Sequence, residues 1–158
     1  FKGLSTFAVE MSELRVIHQY ADENSLRLGD ELCSGTETTS ALCIMTATLK
    51  RLYERKCSFL LATHFHEIMA YEELNELTTI RCCHLAVSYD ENEDCLVYDR
   101  VLQDGPGNKN YGLEVCKSLY MDPAFLSEAY QIRAKHFPEY EGSLSHKTSK
   151  YNSQLVKT

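Results

Sequence analysis

Ser25-Leu-Arg-Leu-Gly-Asp-Glu-Leu-Cys-Ser-Gly-Thr-Glu-Thr-Thr39 and its partner Ser58-Phe-Leu-Leu-Ala-Thr-His64 decide the fold. Each opens as a short run that reads as a buried strand and closes in polar residues. Leu26 and Leu28 lead into Asp30 and Glu31, then into a loop of Ser34, Gly35, Thr36, Thr38 and Thr39. Phe59, Leu60, Leu61 and Ala62 deliver Thr63, His64, His66 and Glu67. In open α/β sheets, ligands sit beyond the carboxyl ends of the strands. Two strands that both end in proton-transferring groups therefore point to one shared site. Between them, Ala41, Leu42, Ile44, Met45, Leu49, Leu52 and Tyr53 follow helical spacing from Thr38 to Arg55. Leu26 to Ala62 is thus a strand–helix–strand unit of a length that suits a parallel crossover, which makes the fold class α/β.

Asp30 and Glu31 have separable roles if the ligand is a nucleotide, because neighbouring side chains at a strand end alternate faces. One carboxylate can hold Mg²⁺, directly or through water, while the other orients or deprotonates an attacking water. His64 would then sense the γ-phosphate. An Asp-Glu pair alone reads as ordinary loop solubility; its combination with Thr63-His-Phe-His-Glu67 is much rarer and points to a site. A metal centre built from His64, His66, Glu67 and the downstream Cys82-Cys83-His84 is disfavoured. Zinc ligands on a helix stand three or four apart, and His64 and His66 are two apart.

At 158 residues with 44% hydrophobic content and few Gly and Pro, the chain suits one domain with a substantial core. No apolar run approaches the roughly 18–20 residues that span a bilayer. No signal peptide is visible and the chain opens on Phe1, so it reads as an internal fragment of a longer protein. Seven cysteines form no CxxC pair, which favours reduced thiols in an intracellular compartment that is not further specified. A net charge of −7 argues against this segment being the main nucleic-acid-gripping surface.

Along the remaining chain, Ser5 and Thr6 cap a helix with a broad apolar face of Phe7, Val9, Met11, Leu14, Ile17 and Tyr20, closed by Asp22 to Ser25. Thr63 to Glu67 opens a further helical stretch to about Leu77. Ile80–Asp90 and Cys95–Leu102 flank a polar turn at Asn92 to Asp94 and read as an antiparallel hairpin. A short helix from Gly112 to Tyr120 is followed by Asp122-Pro123, an N-cap and first-turn proline that start a helix to about Phe137. From Pro138 the pattern fades into a linker.

Ser5-Thr-Phe-Ala-Val-Glu-Met11, Ser25 to Leu32, Gly35-Thr36, Ala62-Thr-His-Phe-His-Glu67 and Lys109-Asn-Tyr-Gly-Leu113 together resemble the C-terminal ATPase domain of the MutS mismatch-repair family over residues 1–136. The resemblance implies a partial ABC-type P-loop ATPase domain with a mainly parallel sheet, flanking helices, a β-hairpin and a C-terminal helical pair linked to dimerisation. It implies ATP and Mg²⁺ as ligands, with Glu31 the catalytic carboxylate, His64 the γ-phosphate sensor and Asp30 the Mg²⁺-side carboxylate. Gly3, Ser5 and Thr6 resemble the signature segment that faces nucleotide bound by the opposite subunit, and Gly35 and Thr36 join the nucleotide contacts. Lys109 and Tyr111 fall near the dimer interface. The implied partners are a second MutS-like subunit, mismatched double-stranded DNA held by other domains, and a downstream repair factor. No membrane partner is implied. The chain departs from the family at Arg27 and Gly29 within the strand, at Cys33-Ser34 where Gly-Arg is usual, and at Asn110. In some organellar and giant-virus relatives an HNH-type nuclease domain follows, so Tyr151 to Thr158 is a candidate start of such an extension, without a nuclease motif.

No GxxxxGK[ST] loop occurs, so the β- and γ-phosphates lack their usual cradle here. The segment alone is therefore expected to bind ATP poorly and not to turn it over. Two other classes stay open: another ABC-type DNA-repair or chromosome-maintenance ATPase head, and a degenerate interaction module that keeps the fold without hydrolysis.

Overall fold

The computed structural model describes residues 5–90, 92–93, 95–107 and 111–138. The chain divides into two compact units, Phe1–Ile80 and Arg81–Thr158.

The first unit is built from α1 (Thr6–Tyr20), β1 (Leu26–Asp30), α2 (Thr38–Glu54), β2 (Ser58–Ala62), a short 3₁₀ helix (His66–Ala70) and α3 (Glu72–Asn75). Ser5 caps α1 by accepting a 3.2 Å bond from the Ala8 amide. Thr6 is already the first helical residue. The anticipated apolar face is narrower than its sequence pattern: Leu14 is buried, while Val9 and Tyr20 are exposed. Beyond the helix, Asp22 closes a turn by accepting from the Asn24 amide and the Ser25 hydroxyl. Glu37 caps α2, its carboxylate accepting from the Ser40 amide at 2.8 Å.

β1 and β2 pair in parallel, with Leu28 opposite Leu60 and Asp30 opposite Ala62. Arg27, Gly29, Phe59 and Leu61 form the partly buried face. A Cβ at Gly29 would fall 2.5 Å from Leu61 Cδ2, so the glycine gives Leu61 its packing space. The expectation of buried strands fails on the opposite face, where Leu26, Leu28 and Leu60 are 62–71% exposed. Parallel strands are ordinarily covered on both faces, and among the described residues of this unit one face is left open. The core joins Leu14 of α1 to Ala41, Leu42, Met45 and Leu49 of α2 and to Leu32, Cys33, Phe65 and Ile68 beyond the strands.

The helical stretch expected from Thr63 to Leu77 is broken. Tyr71 takes an extended conformation (φ −79°, ψ 132°) between the 3₁₀ helix and α3; buried Phe65 and Ile68 belong to the first turn, and buried Leu77 follows the second.

The second unit contains β3 (Cys83–Asp90), β4 (Cys95–Asp104), α4 (Gly112–Ser118) and α5 (Pro123–His136). β3 and β4 form the antiparallel hairpin, with a register shift between Leu85 and Val87. β3 starts later than anticipated, since Ile80 is held in a turn by its amide bond to the Leu77 carbonyl. Asp122 caps α5 through the Phe125 amide at 2.9 Å, with Pro123 in the first turn. The fold is thus mixed α/β, but its described residues form one two-stranded parallel and one two-stranded antiparallel sheet rather than a mainly parallel one. Among the described residues no helix is long and apolar enough to cross a membrane.

Candidate functional site

Parallel pairing places the ends of β1 and β2 side by side, and the ladder runs one residue further: the Glu31 amide donates to the Ala62 carbonyl at 3.0 Å. This brings the two polar strand ends together. His64 Nδ1 contacts Glu31 Oε2, with both side chains about half exposed (58% and 44%). Asp30, one residue earlier, is exposed on the alternate face and lines a pocket of about 270 Å³ with Glu10, Glu13 and Arg27. His66, by contrast, starts the 3₁₀ helix, its amide bonded to the His64 carbonyl.

The loop after β1 is strained. Glu31 (φ +50°) and Cys33 (φ +68°) both occupy the left-handed region without being glycine, which typically costs about 1–3 kcal/mol per residue. Glycine takes this conformation freely; Cys33 does not. Packing compensates: Cys33 is fully buried in the core. Burial, then the Glu10 carboxylate, push its thiol pKa up to about 11, so it stays protonated and inert at neutral pH. All seven cysteines are free thiols.

The far end of the loop meets α1. A Cβ on Gly35 would lie 3.6 Å from Thr6 Oγ1 and 3.5 Å from Phe7 Cβ. The anticipated residues therefore fall into two clusters on one loop: Glu31 with His64, and Gly35 with Thr6, with Ser5 capping the same helix end and Thr36 bonded back through its amide to the Cys33 carbonyl. Gly3, Lys109 and Asn110 lie outside the described residues, as does the segment from 139 onward. Tyr111 is described, and precedes α4 as its cap residue.

Two residues of consequence were not anticipated. Glu10 accepts a 2.8 Å bond from the Cys33 amide; it stands within Ser5 to Met11, but a contact across 23 positions leaves no local signal. Glu114 is 5% exposed, and its Oε1 accepts from Arg133 Nη2 at 3.2 Å. Its other oxygen, Oε2, has no hydrogen-bond partner among the described residues. A glutamate in the first turn of a short helix ordinarily reads as solvated.

Fold and site define a mixed α/β protein whose parallel strands end in a carboxylate–histidine pair. The family profile of MutS domain V matches residues 1–136, and the chain belongs to the MutS family. It is 38% identical over 159 aligned positions to the mutS homolog L359 of Acanthamoeba polyphaga mimivirus, covering 99% of this chain and 14% of the relative. It is 39% identical to the mitochondrial DNA mismatch repair protein mutS homolog of Sarcophyton glaucum, covering 98% of this chain and 16% of the relative. To the DNA mismatch repair protein MutS of Thermus thermophilus it is 34% identical, covering 90% of this chain and 17% of the relative. The chain therefore spans about one-seventh to one-sixth of the length of these curated relatives.

Proposed function

We propose that this chain is part of an ABC-type ATPase domain that couples ATP hydrolysis to mismatched-DNA recognition by other parts of a MutS protein. The single observation that carries this reading is the Glu31–His64 contact at the shared end of two parallel strands, a place suited to a phosphate ligand. Its family membership supports the same reading.

In this scheme Glu31 orients the attacking water and takes its proton as the water oxygen bonds to the γ-phosphorus. The bond to the leaving oxygen breaks and ADP departs. His64 occupies Glu31 Oε2, which leaves Oε1 for the water. The ring's other nitrogen, Nε2, is the atom that would contact the transferred phosphoryl group. Asp30 is an exposed hard-oxygen donor at the strand end and fits Mg²⁺, directly or through water. Bound Mg²⁺ would neutralise charge on the phosphates. Ser5, Thr6, Gly35 and Thr36 lie together at the α1 end of the loop and suit contacts to nucleotide held by a second MutS-like subunit; Gly3 completes that set in the sequence. A downstream repair factor would read the nucleotide state.

The test is ATP hydrolysis by the full-length protein with and without Mg²⁺ and mismatched duplex. Mg²⁺-dependent turnover altered by the mismatch is expected; absence of both nucleotide binding and turnover would contradict the reading and favour an interaction module. The segment alone is expected to show no turnover, for want of a phosphate-cradling loop among its residues.

A further inference from the structure

The Glu31–Thr36 loop has a site at each end and a buried anchor between them. Its first amide is fixed to β2 through Ala62, and Gly35 near its end lies against Thr6 and Phe7. Midway, the Cys33 amide donates to Glu10 Oε1 at 2.8 Å in a partly buried setting. Glu10 belongs to α1, so one carboxylate ties the helix that begins at Thr6 to the loop that begins at Glu31.

We propose that Glu10 is a positioning residue for Glu31. By holding the Cys33 amide it makes the loop and α1 a single piece, so that a displacement at the Ser5–Thr6 end of α1 is delivered to the Glu31 carboxylate. The strain supports this assignment. Two non-glycine residues in the left-handed region, Glu31 and Cys33, persist only where surrounding contacts over-determine them. The Glu10 acceptor lies on the second of the two. Without it, the loop can relax toward extended backbone, and Glu31 follows because it is two residues away. Charge is not the working property, since a neutral amide oxygen accepts the same bond.

This inference rests on the ATPase reading for its functional consequence, and the test separates the two. In the full-length protein, Glu10→Leu removes the acceptor while keeping an apolar side chain, and Glu10→Gln keeps an acceptor of the same reach. Glu10→Leu should lower kcat for ATP hydrolysis by roughly tenfold to a hundredfold, the scale of an ångström of misplacement at a reacting group. KM for ATP should stay within about twofold of wild type, because the interaction acts on positioning rather than on binding. Glu10→Gln should restore kcat. Amide hydrogen exchange across residues 31–36 should quicken in Glu10→Leu and not in Glu10→Gln. Wild-type kcat and exchange in Glu10→Leu would overturn the assignment, as would equal impairment in both variants. Should the wild type show no turnover, the ATPase reading falls, and the exchange comparison still decides whether Glu10 holds the loop.

Discussion

His64 Nδ1 meets Glu31 Oε2 where two parallel strands end side by side, joining a base-bearing ring from one strand to a carboxylate from the other. The pair is possible because the Asp30-to-Ala62 register brings the following residues level, and because Glu31 adopts a left-handed backbone that redirects its side chain.

The α1–α2 contact carries a pH dependence. His18 Nε2 lies 3.3 Å from Thr48 Oγ1. Burial, then Arg51 and Arg55, hold its pKa below the ordinary 6.5. The unfolded chain therefore takes up this proton first as pH falls. The stability this histidine contributes is complete above 6.5 and is lost as pH drops from there toward the lower folded value. Thermal midpoints measured across that range should fall with acidification, and fall less in His18→Gln. Identical pH slopes in the two proteins would contradict this.

Buried Glu114 and partly buried Arg133 form an ion pair with one carboxylate oxygen unmatched among the described residues, and the Arg133 guanidinium also lies 4.9 Å over the Tyr130 ring. Arg133→Met should destabilise the protein by about 3–5 kcal/mol, because it strands a buried charge. Adding Glu114→Met should recover much of that loss, as apolar replacement of both partners removes the desolvation penalty. Urea midpoints of the single and double variants check this; a double variant weaker than Arg133→Met would refute it.

The Asp122 cap is a local test of α5. Asp122→Ala removes the acceptor for the Phe125 amide, which should cost about 0.5–2 kcal/mol. Asp122→Asn, which keeps an acceptor oxygen, should lose much less. Denaturation midpoints of the two variants distinguish the cap from a general charge effect.

What was legible in the sequence was whatever a local pattern encodes. The Asp122-Pro123 start of α5, the 3.6-residue spacing of α2 and the polar strand ends at Asp30-Glu31 and Thr63-His64 all rest on neighbours within a few residues. The Tyr71 break was hidden because Phe65, Ile68, Tyr71 and Leu74 stand three apart and pack on one core, a spacing that a continuous helix would give as well. The exposed faces of Leu26, Leu28 and Leu60 were hidden for the opposite reason. Their hydrophobicity announces a buried strand, and nothing in a period-two pattern says whether a covering layer is at hand. The Glu10–Cys33 bond and the Glu114–Arg133 pair join residues 23 and 19 positions apart, so only the fold reveals them.

The most direct test of the account is ATP turnover by the full-length protein, wild type against Glu31→Ala, with mismatched duplex present and nucleotide binding measured in parallel. Glu31→Ala should bind ATP nearly as wild type does and hydrolyse it roughly a hundredfold or more slowly, the scale of losing a positioned general base. Equal turnover in the two proteins would show that the carboxylate paired with His64 does not direct the water, and would contradict the account.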